Sequence, residues 1–432
     1  MKKINICIAG LGNVGTALIQ SIEENNILFK KKHSLEINIV GISANKKNKK
    51  RNFNIKKYRW FENPLDMALL DGCNIIVELI GQEKGISYDL IKLSLNNNKH
   101  VVTGNKALIS QHGKDLFLLA EKNKLSLSFE AAVAGGIPII KLIKDDISLN
   151  KITKISGILN GTTNYILSKM DEENLSFDEV LNIAKQKGFT SDHESKLDIG
   201  GYDAAHKLTI LSTLCYGASL DFNNNYIQGI SDIKIEDINF AKKLGYNIKL
   251  ISESFIHNNK IYNFTSPKLI NKNNPLANVG DALNALNIET DHLDNLFVEG
   301  QGAGGKPTAS SVLSDIYYIS QNSNFNNLGF NVENLIKFEK YPIKKIINRY
   351  YLRIMTEDKP GVLSTITNLF SKTGISVEKI LQLPEIAKSN SPIPILITTH
   401  QIQREILISV INTLEDNEFV QERITILPIH DD

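Results

Sequence analysis

Gly10-Leu-Gly-Asn-Val-Gly15 stands between a short, mostly apolar run at 3–9 and a helical stretch that runs from Gly12 to about Glu24. A strand that feeds G-x-G-x-x-G into a helix opens a dinucleotide-binding unit. The first glycine permits the tight turn, the second lets backbone approach a pyrophosphate, and the third lets helix pack on strand. Free N–H groups at the helix start then face the phosphates. Gly10, Leu11, Gly12, Asn13, Val14 and Gly15 are therefore candidate cofactor residues. The alternative is a turn that is merely structural.

The pattern after this turn extends the argument. Strands at Glu36–Ile42, Asn74–Leu79, His100–Thr103 and Ser126–Glu130 alternate with helical stretches, which predicts an α/β, doubly wound, Rossmann-type parallel sheet over 1–150. From Lys151 the order changes. A strand at Lys151–Ser156 and a helix starting at Thr163–Met170 come first. Phe177–Lys187, N-capped by Ser176, and Asp203–Tyr216 are further helices. Strand-like pieces at Ile261–Thr265 and Asp294–Glu299 complete an α+β unit over 151–337, and a helix at Pro307–Ile319 could pack back on the first unit. Residues 338–349 read as a linker. The remainder, 350–432, has the order βαββαβ, with Val362, Ile366, Leu369 and Phe370 forming one apolar helix face. Open edge strands in so small a unit favour pairing with a second copy, so a homo-oligomer (dimer or tetramer) is expected.

At 432 residues the chain can bury two or three cores. Its net charge of +2 gives no reason to expect nucleic acid or an anionic membrane surface as partner. No window approaches a membrane span, and the apolar run after Met1-Lys-Lys-Ile ends in the Gly10 turn, which rejects a signal peptide. Cys7, Cys73 and Cys215 are far apart and show no C-x-x-C spacing, so neither a disulfide framework nor a cysteine zinc site is expected. A reducing, cytoplasmic location fits.

Glu130–Lys207 carries glycines and small polar residues among aliphatic ones, as a cleft for a small polar substrate does. Asp203 and Lys207, four apart on one helix face, follow Gly200-Gly201 in apolar surroundings. Such a lysine can carry a proton to a carbonyl oxygen, although an ordinary surface ion pair has the same spacing. Lys106 lies just past a strand end, where ligands of doubly wound sheets bind, or else it simply starts a helix. After the second strand no acid follows from Asn45 to Phe61. Lys46 and Lys47 stand there instead, which favours NADP over NAD unless they are a solvated basic loop. Glu130 with turn carbonyls could cage a monovalent cation; capping the following helix is the simpler reading.

The motifs GLGNVG (10–15), VVTGNKAL (101–108), EAAVAGGIPII (130–140), GILNGTTNYIL (157–167), DIGGYDAAHK (198–207) and EGQGAGGKPTAS (299–310) together closely resemble homoserine dehydrogenase with a C-terminal ACT (ferredoxin-like) regulatory domain, over essentially the whole chain. The resemblance implies NAD(P)H-dependent interconversion of L-aspartate 4-semialdehyde and L-homoserine, in the threonine, methionine and isoleucine branch of aspartate metabolism. It implies Lys207 as proton donor, Asp203 as its orienting neighbour, and Lys106 in contact with substrate and cofactor. Thr103 and Gly302 would join the cofactor site. Asn160, Gly161, Thr162 and Asp198 would line the substrate cleft. Glu130 with the carbonyls of Val133, Gly135 and Ile137 would be the sodium site. Threonine would be an effector acting through the ACT unit, at Glu357-Asp-Lys-Pro-Gly361. The chain departs from the family at Gly104 and Gln301. It also departs at the substrate-binding glutamate expected after Gly188, where gap placement leaves Asp192, Glu194 or Ser191. Two other functions remain open: a dehydrogenase acting on a different amino-acid carbonyl, and a non-catalytic amino-acid sensor.

Overall fold

The structure is a computed structural model that describes residues 1–382 and 392–430. Its first body holds β1 (Lys2–Ala9), α1 (Asn13–His33), β2 (Leu35–Ser43), β3 (Ile75–Glu78), α2 (Ile86–Asn96), β4 (His100–Thr103), α3 (Lys106–Lys122) and β5 (Leu127–Ser128). The strands form one parallel sheet in the order β2-β1-β3-β4-β5. The order reverses between β1 and β3, which leaves a crevice beyond their carboxyl ends where doubly wound folds bind ligands. Helix α1 runs nine residues past the expected end at Glu24. Asn26, just past that point, exchanges side-chain bonds with the Ile37 backbone and ties this part of the helix to β2. The fifth strand is shorter than expected, because the chain turns into a 3₁₀ segment at Glu130–Ala132.

The second body follows α4 (Ile139–Lys141), which runs on into a π turn at Leu142–Asp146. It contains β6 (Ile152–Ile158), α5 (Gly161–Glu173), α6 (Phe177–Gln186), α7 (Asp192–Ile199), α8 (Tyr202–Tyr216), β7 (Asn225–Ile227), α9 (Ile235–Lys243), β8 (Tyr246–His257), β9 (Lys260–Asn271), β10 (Leu283–Thr290) and β11 (Asn295–Gln301). Ser176 caps α6 in a reciprocal box with Glu179. Helix α10 (Gly305–Gln321) returns to the first body, where Ala309, Val312, Ile316 and Ile319 share a core with Ile6, Ile8, Leu18 and Ile22. The stretch expected as a linker carries β12 (Glu339–Lys340), paired parallel with β9, so it is held to the sheet.

The third body comprises β13 (Ile347–Thr356), α11 (Val362–Lys372), β14 (Val377–Gln382), β15 (Ile393–Thr399), β16 (Ile402–Gln403), α12 (Arg404–Glu415) and β17 (Thr425–His430). Its βαββαβ path gives the sheet order β17-β13-β15-β14. Val362, Ile366 and Phe370 are the buried face of α11. Strand β17 runs to His430, and its last residues pair parallel with β9 (Ile429 with Leu269, His430 with Ile270). One edge of the βαββαβ unit is thus covered by the same chain, which corrects the expectation that both edges await a second copy. A buried ionic contact reinforces the junction. Arg353 Nε lies 3.1 Å from Asp237 of α9, and the Tyr351 hydroxyl donates to the same carboxylate at 2.5 Å. Among the described residues no helix is long and apolar enough to cross a membrane.

Candidate active site

Three segments converge beside the crevice: the start of α3 after β4, the turn from β6 into α5, and the first turns of α8. Asp203 is at their centre. Its Oδ1 lies 2.9 Å from Lys106 Nζ, and its Oδ2 accepts from Lys207 Nζ at 2.8 Å and from Asn160 Nδ2 at 2.9 Å. Burial alone would raise the Asp203 carboxyl, but the two ammonium groups override it and hold the group far below the usual carboxylate range. Asp203 in turn raises Lys106, with smaller help from Asp198 and Glu194. Lys207 also donates to the Leu159 carbonyl at 2.6 Å. The Lys207 side chain is 9% exposed, against 39% for Lys106, so one ammonium is sealed and the other reaches the cleft.

Asn160 organises the acids. Its Oδ1 accepts from Thr163 N as the cap of α5, while its Nδ2 donates to Asp198 Oδ1 at 2.7 Å as well as to Asp203. Thr190 donates to the other oxygen of Asp198 at 2.9 Å. Burial and the nearby Asp203 raise Asp198, and these two hydrogen bonds oppose the rise. Gly161 faces the Ala282 carbonyl, 2.5 Å from where a Cβ would stand, and the Thr162 hydroxyl donates to Phe189 O at 3.3 Å.

Of the three candidates near Gly188, the structure places Asp192 away from this group: its side chain is 91% exposed and pairs with Lys185 at 2.8 Å. Ser191 caps α7 and donates to Glu194 Oε2 at 2.7 Å. Glu194 is thereby aimed from the first turn of α7, where its charge is felt at Lys106.

The cofactor side is a cleft of about 1010 Å³ lined by Gly10, Leu11, Gly12, Lys46, Arg51 and Ile80, among others. Gly10 adopts φ +101°, and a Cβ there would lie 2.3 Å from the Leu79 carbonyl; a Cβ on Gly15 would lie 2.0 Å from Gly10 O. At Gly12 a Cβ would meet nothing within 4 Å, so that backbone faces the open cleft. Lys46 and Lys47 are exposed, with Lys47 3.6 Å from Glu62. The sequence reading passed over Arg51, whose guanidinium donates to the carbonyls of Lys46 (2.7 Å), Lys47 (3.1 Å) and Lys49 (3.0 Å) and so shapes the lysine loop. It passed over Glu78 too, a fully buried carboxylate that accepts from Ile80 N, Gly81 N and Ser87 Oγ, and from Thr103 Oγ1 at 2.6 Å. Thr103 is therefore engaged inside the sheet. Gly302 packs on Asn284, where a Cβ would lie 2.0 Å from the amide carbon, and Asn284 donates to the same Leu159 carbonyl that Lys207 holds. A lone arginine among lysines and a glutamate at a strand end were the available signals.

Glu130 is 1% exposed and caps α4: Oε1 accepts from Ile140 N (2.8 Å) and Oε2 from Lys141 N (3.1 Å). Lys141 also reaches Asp315 at 2.6 Å. Burial, then the charge of Asp315, push Glu130 up to about 7. The Gly135 carbonyl accepts from Ser311 Oγ and that of Ile137 from Ile139 N, leaving each oxygen a second lone pair.

A doubly wound sheet with this glycine turn, opening beside a lysine–aspartate–lysine cluster, defines a nicotinamide-dependent dehydrogenase. Residues 138–317 match the family described as homoserine dehydrogenase, 10–130 its NAD-binding domain, and 350–417 the ACT domain. The homoserine dehydrogenase of Neisseria gonorrhoeae is 34% identical, covering 99% of this chain and 98% of that protein; that of Helicobacter pylori is 36% identical, with 97% of both covered. The crystal structure of the Thiobacillus denitrificans homoserine dehydrogenase superposes with a TM-score of 0.90 at 32% identity, covering 100% of this chain and 99% of that one. A hyperthermophilic archaeal homoserine dehydrogenase in complex with NADPH gives 0.61 at 26% identity, over 76% of this chain and all of that one. The chain belongs to the homoserine dehydrogenase family.

Proposed function

We propose that the cleft reduces L-aspartate 4-semialdehyde to L-homoserine, and runs the reverse reaction, with Lys207 as the proton donor and acceptor. The observation that carries this is one carboxylate, Asp203, held between two lysines in a buried cleft. A nicotinamide bound in the glycine-turn cleft would supply the hydride that the aldehyde carbon takes up. Lys207 Nζ gives a proton to the aldehyde oxygen, which becomes the alcohol. Neutral Lys207 is tolerated because Lys106 still balances Asp203, and the Lys106 charge stabilises negative charge developing on the oxygen. Asp198, Asn160 and Glu194 offer oxygen acceptors to the substrate ammonium group.

The cofactor is NADP in this reading, with Lys46 or Lys47 at the 2′-phosphate, Arg51 presenting the loop, and NAD as an alternative. A monovalent cation, Na⁺ by the hardness of its oxygen ligands, would sit against Glu130 and the carbonyls of Val133, Gly135 and Ile137. The raised Glu130 supports this, since burial and the charge of Asp315 push its carboxyl up against the pull of Lys141, and a bound cation would relieve both. The ACT unit binds threonine at 357–361. There Gly361 adopts φ +93° with nothing within 4 Å of a Cβ, which leaves the start of α11 open to a carboxylate. Homoserine-dependent reduction of NADP and of NAD, with and without threonine, tests these points together. Lys207→Ala should abolish turnover, and activity within tenfold of the parent would sink its role.

A further inference from the structure

The cofactor-binding and substrate-binding bodies meet along a seam between α3 and α8. Lys106 and Ser110 lie one turn apart on α3, and Asp203 and His206 lie one turn apart on α8, so each pair presents one face to the other helix. The first rung of the seam is the Lys106–Asp203 ion pair at 2.9 Å. The second joins Ser110 Oγ to His206 Nδ1 at 2.7 Å. Further along α3, a Cβ on Gly113 would lie 3.0 Å from Leu220 Cδ1, in the turn that follows α8.

The second rung has a defined setting: Ser110 Oγ shares the hydrogen bond with His206 Nδ1, the donor set by the imidazole tautomer, and also lies 3.1 Å from the Ala107 carbonyl. The ring is stacked on Phe222 with centroids 4.1 Å apart and planes 18° apart. Burial holds the imidazole down at about 4, against the pull of Asp203, so it is neutral near pH 7 and brings no charge to the cluster.

We propose that the Ser110–His206 pair is a positioning device for the reaction: it sets α3 in register on α8 and thereby places Lys106 against Asp203. The proposal rests on the reading of Lys106 given above. Lys207 is anchored on its own body by the Leu159 carbonyl and needs no help from α3. Lys106 is different. It is a long side chain, 39% exposed, on a helix from the other body, so its ammonium goes where its backbone goes. Displacement of about 1 Å at such a group costs on the order of 100-fold in rate.

The test is a cycle of four proteins: the parent, Ser110→Ala, Lys106→Ala and the double variant, each assayed by steady-state homoserine oxidation and by thermal melting. Ser110→Ala should lower kcat about tenfold, a loss equivalent to about 1.4 kcal/mol. The Michaelis constant for NADP and the melting temperature should hardly move, and Ser110→Thr should recover most of the rate. The loss should vanish once Lys106 is gone, because the pair acts through it. His206→Leu and His206→Asn repeat the test from the other helix, with Asn keeping a hydrogen-bonding group near the Nδ1 position and therefore most of the activity. A Ser110→Ala enzyme within twofold of the parent would overturn the proposal. So would an equal loss in the presence and absence of Lys106, which marks a purely structural contact. A Lys106→Ala enzyme as active as the parent would instead overturn the reading of Lys106 itself.

Discussion

Asp203 shows how a single buried carboxylate can hold two potential proton carriers and still stay ionised. The same contacts predict what survives when one lysine is removed. In Lys207→Ala, Asp203 keeps Lys106 and Asn160, and the Leu159 carbonyl keeps Asn284. Turnover should therefore disappear while the melting temperature and NADPH affinity stay close to the parent, as calorimetry and fluorescence titration would show. The acids near Gly188 divide in the same way. Asp192→Asn should leave the homoserine Michaelis constant within about twofold, since only an exposed ion pair is lost. Glu194→Gln should raise it by roughly tenfold, the worth of one charge-assisted contact. Equal effects would remove Glu194 from the substrate site. The pH dependence of His206 has a definite sign. Its folded value, about 4, lies below the ordinary 6.5 although Asp203 and Glu83 favour the charged form, with Lys106 opposing. The unfolded chain therefore takes up the proton first. The contribution is complete above pH 6.5 and is lost as pH falls towards 4, so His206→Asn should flatten acid denaturation in that interval.

At the scale of elements, the glycine turn, the parallel sheet and the βαββαβ order could all be read from local pattern. Each depends on spacing within about ten residues: a strand before Gly10, a helix after it, an apolar face at Val362, Ile366 and Phe370. What could not be read depends on distant partners. Helix α1 passes Glu24 because Asn26 finds the Ile37 backbone. Asn284 joins the site only because β10 lies against β6. Arg51 reads as one more cation in a basic loop until its guanidinium is seen closing three carbonyls of that loop. The departure at Gly104 also has a simple account: a Cβ there would meet Ala131 and Leu79 at ordinary distances, 3.5 and 3.6 Å, so the site takes a glycine or a residue with a Cβ. Arg51 supplies the element-scale prediction. Arg51→Ala should raise the Michaelis constant for NADP by roughly tenfold and that for NAD much less, because the loop that presents Lys46 and Lys47 loses its internal donors. Equal changes for both cofactors would return the loop to plain solvation.

For the whole molecule, the decisive feature is that the third body is built onto the sheet of the second. Asp237 is fully buried, and burial raises its carboxyl while Arg353 opposes the rise. Arg353→Met should cost about 3–5 kcal/mol in chemical denaturation, since it leaves that charge without its cation. A smaller loss would mean that the Tyr351 hydroxyl and the Lys234 amide suffice. The same junction changes what removal of the ACT unit would do. A chain ending at Asn348 should lose any threonine response, but it also uncovers the Leu269–Ile270 end of β9 and strips Asp237 of Arg353 and Tyr351. It should therefore aggregate on warming well below the melting temperature of the intact enzyme, as light scattering would show. Strand β17 gives this arrangement a further consequence, one of timing. The strand that covers the Leu269–Ile270 end of β9 follows every other described strand in the chain, so that part of the central sheet stays open until β17 has been made. A nascent chain can bury its nucleotide-binding body early, since domains fold from the N-terminus during synthesis, but it cannot complete the catalytic one. Substitutions that disrupt β17 would therefore strike the catalytic sheet as directly as the ACT unit.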